Sequence, residues 1–416
     1  VSKVAKLNEL GIDVIITDHH EPKEMLPEAV AILDPKLDDY PCKDLSGCGV
    51  ALKLAQALYK ELGLNSSKLI KYFDLVALAT VADIVPLTDE NRIITKFGLQ
   101  KLERTSNAGL QSLLEITGLI NRKLNTYHLG FILGPRVNAQ GRLGGARDVV
   151  LLFTTGDREE AHEIAKRLDD ENRKRMEIQG EIVEDAYNKV KNLNLEEIKG
   201  IVLAAEEWHP GVIGIAASRI VERFYRPVIL IALDGDTGKG SARSIPEFHL
   251  YNALKECDHI LESFGGHKLA AGLIIERKNI EKLKTKFNEI ANNKLRELEL
   301  VSKVFVDQEL SLTKIDKALL NSLDAFNPLG LGNPKPVFLA KNVQVVGYPK
   351  ILNNKHLKFK VRENNKVMSA IAWHSEELFN SIATGTRVDL VYGLRENEYL
   401  GHKEIELNVV DVDVVG

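Results

Sequence analysis

Between Asp157 and Leu193 the chain is rich in charge and free of proline, with Ile164, Leu168, Met176, Ile182, Val183, Ala186 and Val190 forming an apolar stripe. That spacing predicts one helix, roughly 50 Å long at ~1.5 Å per residue, with Gly180 as a weak point inside it. A rod of this length either joins domains or packs as an ordinary bundle helix. Its place between two stretches of β/α alternation favours the connector. A single core is then excluded, and at ~100–200 residues per domain a chain of 416 residues should hold two to four domains.

Upstream of the rod, Val4, Ala5, Leu7 and Leu10 fall at helical intervals, and Gly11 ends that helix. Val14, Ile15 and Ile16 then form a short strand that stops at Asp18. Ala29 to Leu33 reads as a second strand closed by Pro35, with helices predicted at about 49–62, 69–83 and 90–104. This alternation implies a parallel sheet covered by helices. Downstream, Ile201 to Ala205, a helix at about 211–224 and Pro227 to Ala232 begin a second α/β unit, which runs to about 297. The period then changes to two. Phe338 to Val346, Leu357 to Val361, Val367 to Trp373, Arg387 to Gly393 and Ile405 to Val412 are short strands between Gly, Asn and Pro turns, the signal of a small β-barrel or sandwich. The expected division is 1–105, a helical region with the long helix at 106–196, 197–298 and 299–416.

Composition narrows the partners. No apolar run reaches the ~18–20 residues a spanning helix needs, so no membrane contact is expected. With 55 Lys plus Arg against 59 Asp plus Glu, any polyanion site must be local. Three cysteines, Cys42, Cys48 and Cys257, are too few for a disulfide scaffold and point to a reducing, cytoplasmic setting. The chain opens on Val1 without a signal-peptide pattern, and a truncated start is expected.

The strongest chemical feature is Asp18-His19-His20 at the end of the first strand, where open α/β sheets place their ligands. Carboxylate and imidazole together suit a divalent cation. The bland alternative is a capping Asp followed by two loop histidines. Asp83 closes a nearly all-apolar helix pattern begun at Asp74, itself as easily an N-cap, so Asp83 must be paired, metal-bound or at the helix mouth. The segment from Gly134 to Gly144, with Arg136, Asn138 and Arg142, reads as a compact Gly/Arg loop of the kind that grips phosphate, or as a plain loop with surface arginines. Ser241 and Arg243, two apart on an extended segment, share one face. Gly265-Gly266-His267 and Ala270-Ala271-Gly272 offer a surface where a backbone can approach a ligand. Between Ala325 and Arg362 stand seven basic residues, among them Lys355, Lys358 and Lys360, and no acid, with Tyr348 and Phe359 interleaved. This is either a single-strand-binding face or a solvated strand face over core aromatics. His162, His356, His374 and His402 lack ligand-like companions, and Asn65 reads as a helix cap.

Taken together these segments resemble the DHH phosphoesterase superfamily and, within it, the RecJ single-stranded-DNA exonucleases. The resemblance is carried by Gly11 to Pro22, Leu45 to Ala51, Asp74 to Arg92, Pro135 to Gly144, Trp208 to Arg219, Gly240 to Pro246, Phe264 to Gly272 and Asn327 to Phe338, in family order over nearly the whole chain. It implies an α/β fold of two α/β domains, DHH and DHH-associated, joined by a long helix and followed by an OB-like β-barrel. The implied activity is 5′→3′ hydrolysis of single-stranded DNA in repair and recombination, with two Mn2+ or Mg2+ ions. By that match His19 and Asp83 are metal ligands, Asp18 supports the site and His20 lies near the scissile phosphate. Arg136, Asn138, Arg142, Ser241 and Arg243 hold DNA phosphates, Gly265, Gly266 and His267 line the cleft, and Lys355, Lys358 and Lys360 grip the strand. The implied partners are single-stranded DNA and proteins of the helicase and single-strand-binding kind, and a monomer is expected. Two aspartate-rich motifs that the family carries before its DHH segment do not occur in this sequence, so the metal site is expected to be incomplete and this fragment inactive. The competing readings are a DHH-family oligonucleotide phosphodiesterase and a non-catalytic single-strand-binding scaffold.

Overall fold

The computed structural model describes residues 1–416 apart from 23, 24, 38, 144, 297–299, 400, 401 and 416. The expected boundary at 298/299 and the Gly144 end of the Pro135 motif lie outside the described residues. The chain divides into two compact units, residues 1–105, 121–131 and 303–416 in one, and 106–120 and 132–302 in the other.

The first unit opens with helix α1 (Ser2–Glu9), which Gly11 terminates in the left-handed region at φ 70°. Strands β1 (Ile15–Thr17) and β2 (Ala31–Leu33) pair in parallel, Ile15 opposite Ala31. Helix α2 (Gly47–Glu61) is capped by Ser46, whose hydroxyl accepts from the Gly49 amide. The helix expected at 69–83 is a 3-10 turn (Ser66–Tyr72) followed by α3 (Phe73–Ala82), and Asn65 caps the turn by accepting from Ser67 N. Asp74 is not the cap. It lies buried in the first turn of α3, where its carboxylate accepts from Leu75 N at 2.8 Å and Thr105 Oγ1 at 2.6 Å. Helix α4 (Asp89–Leu102) lies hard against α3 at Gly98, where an added Cβ would stand 2.3 Å from Phe73 O and from Ala77 Cβ.

In the second unit, α5 (Ala108–Ile116), α6 (Gly134–Leu143) and α7 (Arg147–Thr154) pack on α8 (Arg158–Lys191). The Gly/Arg segment expected as a loop is thus α6. Pro135 suits a first helical turn, Ala139 is buried, and Arg136 anchors the helix to α8, which outweighs the low propensity of its glycines. Helix α8 runs unbroken through Gly180 from an Asp157 cap. It is a packed helix rather than an exposed rod: Ile164, Leu168, Ile182, Ala186 and Val190 are all buried.

Beyond α8, β3 (Ile201–Ala205), α9 (Ile213–Phe224), β4 (Val228–Asp234), β5 (Thr237–Arg243), α10 (Leu250–Glu256), β6 (Ser263–Gly266), β7 (Ala270–Glu276) and α11 (Ile280–Lys294) form a five-stranded sheet, order β3-β4-β5-β7-β6, with its helices. One face buries Ile229, Ile231, Leu273 and Ile275 with Phe287 of α11. The other packs Ile201, Leu203, Val228 and Leu230 against α8 and α9.

The first unit resumes with β8 (Gln308–Glu309), α12 (Lys317–Asp324), β9 (Phe338–Leu352), β10 (His356–Glu363), β11 (Lys366–Ala372), β12 (Arg387–Tyr399) and β13 (His402–Val414). β9 pairs antiparallel with both β10 and β12, β11 runs parallel to β13, and the five strands β9–β13 close a barrel, with β8 added to the start of β9. Its core holds Val343, Val345, Phe359, Leu390 and Tyr392, and the Tyr392 hydroxyl donates to Leu310 O at 2.8 Å. The chain therefore comprises two α/β domains linked by the long α8 and a C-terminal β-barrel. Among the described residues no helix is long and apolar enough to cross a membrane.

Two glycine substitutions test this packing in opposite directions. Gly98→Ala should destabilise the protein by about 1–3 kcal/mol through overpacking. Gly180→Ala, exposed with nothing within 4 Å of the added carbon, should stabilise it by about 0.5–1 kcal/mol. Denaturant titration of each variant reads both.

Candidate active site and nucleic-acid contacts

At the end of β1 the chain turns through Asp18-His19-His20. One carboxylate oxygen of Asp18 organises the turn, accepting from His19 N at 2.7 Å, His20 N at 3.2 Å and His20 Nδ1 at 2.7 Å. The His20 bond, followed by the backbone bonds, holds the Asp18 carboxyl below its usual range. The His20 ring otherwise faces solvent. His19 points elsewhere: its Nε2 stands 3.5 Å from Asp83 Oδ2. Asp83 is the C-cap of α3, its backbone amide still bonded to Ala79 O. The His19 ring also lies over the start of α2, where an added Cβ at Gly47 would be 3.3 Å from His19 Cδ2. Three segments distant in sequence thus meet at one imidazole.

An imidazole nitrogen and a carboxylate oxygen at this separation fit two donors on one divalent ion, for which Mn2+ or Mg2+ chemistry is suited. Among the described residues no group of three or more metal-binding side chains occurs.

In the other unit, Ser241 and Arg243 share a face of β5 as expected, and the Arg243 guanidinium donates to Ser241 Oγ at 3.3 Å and Ala242 O at 2.8 Å. Across the sheet Ser241 stands opposite Gly272, and Gly272 opposite Gly265, so two residues without side chains extend a flat ledge from the hydroxyl. His267 is exposed beyond it, its amide bonded to Ala270 O. Gly214, near the start of α9, is closely apposed: an added Cβ would lie 2.8 Å from Ser241 Oγ and 3.1 Å from an Arg243 nitrogen.

The arginines of α6 divide. Arg136 is committed to structure, its Nε donating to Asp169 Oδ1 at 2.7 Å and another nitrogen to Ile132 O at 2.6 Å. Asn138 is exposed on α6. Arg142 reaches Gly211 O at 3.4 Å and belongs with Arg243, whose guanidinium is pushed below its usual range by burial and then by Arg142. A third guanidinium joins them. Arg175 on α8 is only 8% exposed and bonds the neutral amides of Asn172 and Gln179. Burial, then Arg142, lowers its basicity too. Among the described residues none of the three has a carboxylate partner. Sequence reasoning missed Arg175 because it lies in the predicted rod, and with Glu171 four residues before it nothing in the local pattern marks it as an arginine without an acid.

On the barrel, Lys358 and Lys360 project outward from β10 between the core residues Leu357, Phe359 and Val361. Phe359 is therefore core, while Tyr348 is 88% exposed. Lys355 is exposed in the β9–β10 turn. The basic stretch is less free than it reads: Lys358 lies 3.1 Å from Glu406, fully buried on β13, and Lys341 pairs with Glu309. Arg395 also pairs with Glu406 and covers one face of the half-exposed Trp373 at 5.2 Å, while the Trp373 indole donates to Asn408. His356 and His374, expected as isolated, both stand beside this cluster.

The sequence pattern of the DHH family, N-terminal domain, matches residues 1–80, that of the DHHA1 domain 197–293 and that of the RecJ OB domain 306–411. The single-stranded-DNA-specific exonuclease RecJ of Salmonella typhimurium is 35% identical over 98% of this chain and 74% of its own length. The chain belongs to the RecJ family. The Bacillus subtilis RecJ is 40% identical over 99% of the chain, which spans 52% of that relative's length. Crystalline RecJ from Thermus thermophilus in complex with Mn2+ superposes with a TM-score of 0.86 at 32% identity, over 98% of this chain and 60% of that one.

A buried guanidinium bonded only to neutral amides carries a desolvation cost that an anion offsets. Arg175→Met should therefore melt higher than the unchanged protein in chloride, yet gain less when phosphate is added at matched ionic strength. Calorimetry in the two buffers tests this.

Proposed function

We propose that this RecJ-family chain carries the catalytic and strand-gripping parts of a single-stranded-DNA exonuclease that hydrolyses phosphodiester bonds from the 5′ end. The observation that carries the reading is the apposition of His19 Nε2 and Asp83 Oδ2 at 3.5 Å beside the Asp18–His20 turn. His19 and Asp83 would hold Mn2+ or Mg2+, which supplies an activated water and neutralises charge on the phosphate when bound. Asp18 fixes the His20 ring through Nδ1, and as the imidazolium the ring would donate Nε2–H to a phosphoryl oxygen. Arg142, Arg175, Arg243 and Ser241 receive the 5′-terminal phosphate, and the Gly272–Gly265 ledge lets a nucleotide lie close to the backbone. Lys355, Lys360, Tyr348 and Trp373 offer the barrel's charge and stacking surface to the trailing strand. A barrel of this kind favours a long strand over the short substrates of an oligonucleotide phosphodiesterase.

The test is Mn2+-dependent nucleotide release from 5′-labelled and 3′-labelled single strands, by the full natural chain that carries this sequence and by residues 1–416 alone. The full chain should degrade from the 5′ end. The 416 residues, with one imidazole and one carboxylate brought together, should bind strand without cutting. Arg243→Ala should lower degradation of 5′-phosphorylated strands about 10–100-fold, the loss of a charged hydrogen bond or two, while total strand binding changes little. Equal losses in both would remove Arg243 from the 5′ end, and strand binding without cleavage by the full chain would favour the scaffold.

A further inference from the structure

What holds Asp83 in place is a second question, and its answer rests on the reading of Asp83 as a metal-holding carboxylate. After α3 the chain enters Ile84 at φ 59°, a left-handed conformation usual for glycine and strained for a β-branched residue. Such a conformation persists only where its surroundings over-determine it. Here the surroundings come from two sides. Asn91 of α4, fully buried, donates to Pro86 O at 3.0 Å and Asp44 O at 2.6 Å. Opposite stands the turn 326–333, which leads from α12 into the barrel. Leu87 N donates to Leu331 O at 2.6 Å. The Leu87 side chain rests on Gly330, where an added Cβ would be 2.6 Å from Leu87 Cδ1. Gly332, at φ 73°, would place a Cβ 3.0 Å from Pro86 Cβ and 3.3 Å from Thr88 Cγ2.

The turn is itself stiff. Asn333 Nδ2 donates to Phe326 O at 2.8 Å and Pro328 O at 2.9 Å, and Gly330 and Asn333 exchange backbone bonds. Arg92, one residue past Asn91, donates to Ala325 O at 3.0 Å at the end of α12. Thr126 Oγ1 adds a bond to Leu329 O at 2.6 Å.

We propose that the turn 326–333 is a positioning device for Asp83. It clamps residues 84–88 in the conformation that presents the carboxylate to His19, so the cation site forms only when the segment entering the barrel is docked. Gly330, Gly332 and Arg92 are positioning residues: none touches the cation or the strand. The barrel thereby does more than grip DNA, since its entry segment sets the competence of the metal site.

The experiment measures Mn2+ occupancy of the full natural chain by electron paramagnetic resonance of free Mn2+, strand binding in EDTA, and hydrogen exchange over residues 84–88. Gly330→Ala should raise the Mn2+ concentration for half occupancy about 10–100-fold, as outer contacts to metal ligands do, with strand binding unchanged. Adding Leu87→Ala, which opens space for the new methyl, should restore occupancy towards the unchanged protein. Arg92→Ala introduces no clash and decides the matter if Gly330→Ala fails to fold; it should speed exchange at 84–88 and weaken Mn2+ binding. Unchanged Mn2+ binding in Arg92→Ala despite faster exchange would overturn the positioning role, as would failure of Leu87→Ala to rescue a folded Gly330→Ala. Mn2+ occupancy indifferent to Asp83→Asn would instead overturn the metal reading beneath it.

Discussion

The candidate centre depends on where α3 ends. The helix is apolar along almost its whole length, so its body is driven into the core: Val76, Ala77 and Leu78 are buried. Its final carboxylate cannot follow them, and Asp83 stays at the mouth. Burial of each large side chain is worth about 1.5–3 kcal/mol, whereas an exposed His–Asp contact contributes at most ~1 kcal/mol. Packing therefore places the site, and the site adds little to packing. The contact at Gly98 and the Ser46–Thr80 hydroxyl pair at 3.1 Å set α3 against α4 and the start of α2. Through them His19, Gly47 and Asp83 converge.

The second unit uses the opposite electrostatic strategy. Arg136 is neutralised by Asp169, which Arg173 also bonds, and serves to pin α6 onto α8. Among the described residues Arg142, Arg175 and Arg243 have no acid partner, and each is made less basic by burial. The difference separates Arg136, paired with an acid, from the arginines proposed to hold an anion more clearly than spacing on α6 does. An anion bound beside Arg142 would relieve the repulsion that Arg142 exerts on Arg243 and on Arg175, and α6, α8 and β5 already hold these side chains.

Much of this was legible in the sequence where the signal is local. The stripe of α8 apart from Met176, which is exposed, the alternating barrel strands and the placement of Asp18-His19-His20 after β1 follow from period and from strand ends, and the structure bears them out. What depends on partners distant in sequence was not legible. Nothing near Lys358 announces that Glu406 will neutralise it, nor does the α6 segment announce that Asp169 will make a helix of a glycine-rich stretch. Phe359, interleaved with lysines, is core because alternation on β10 turns it inward, a fact that composition cannot separate from a stacking role. Asp74 resembled a cap until the 3-10 turn before it placed Tyr72 at that position and buried the carboxylate against Thr105.

In the function proposed above, His19 and Asp83 share a divalent cation. The most direct measurement is anomalous diffraction at the manganese edge from crystals of the full natural chain soaked in Mn2+. A peak is expected within bonding distance of both His19 Nε2 and Asp83 Oδ2. Well-ordered density for both side chains with the manganese bound elsewhere would contradict it.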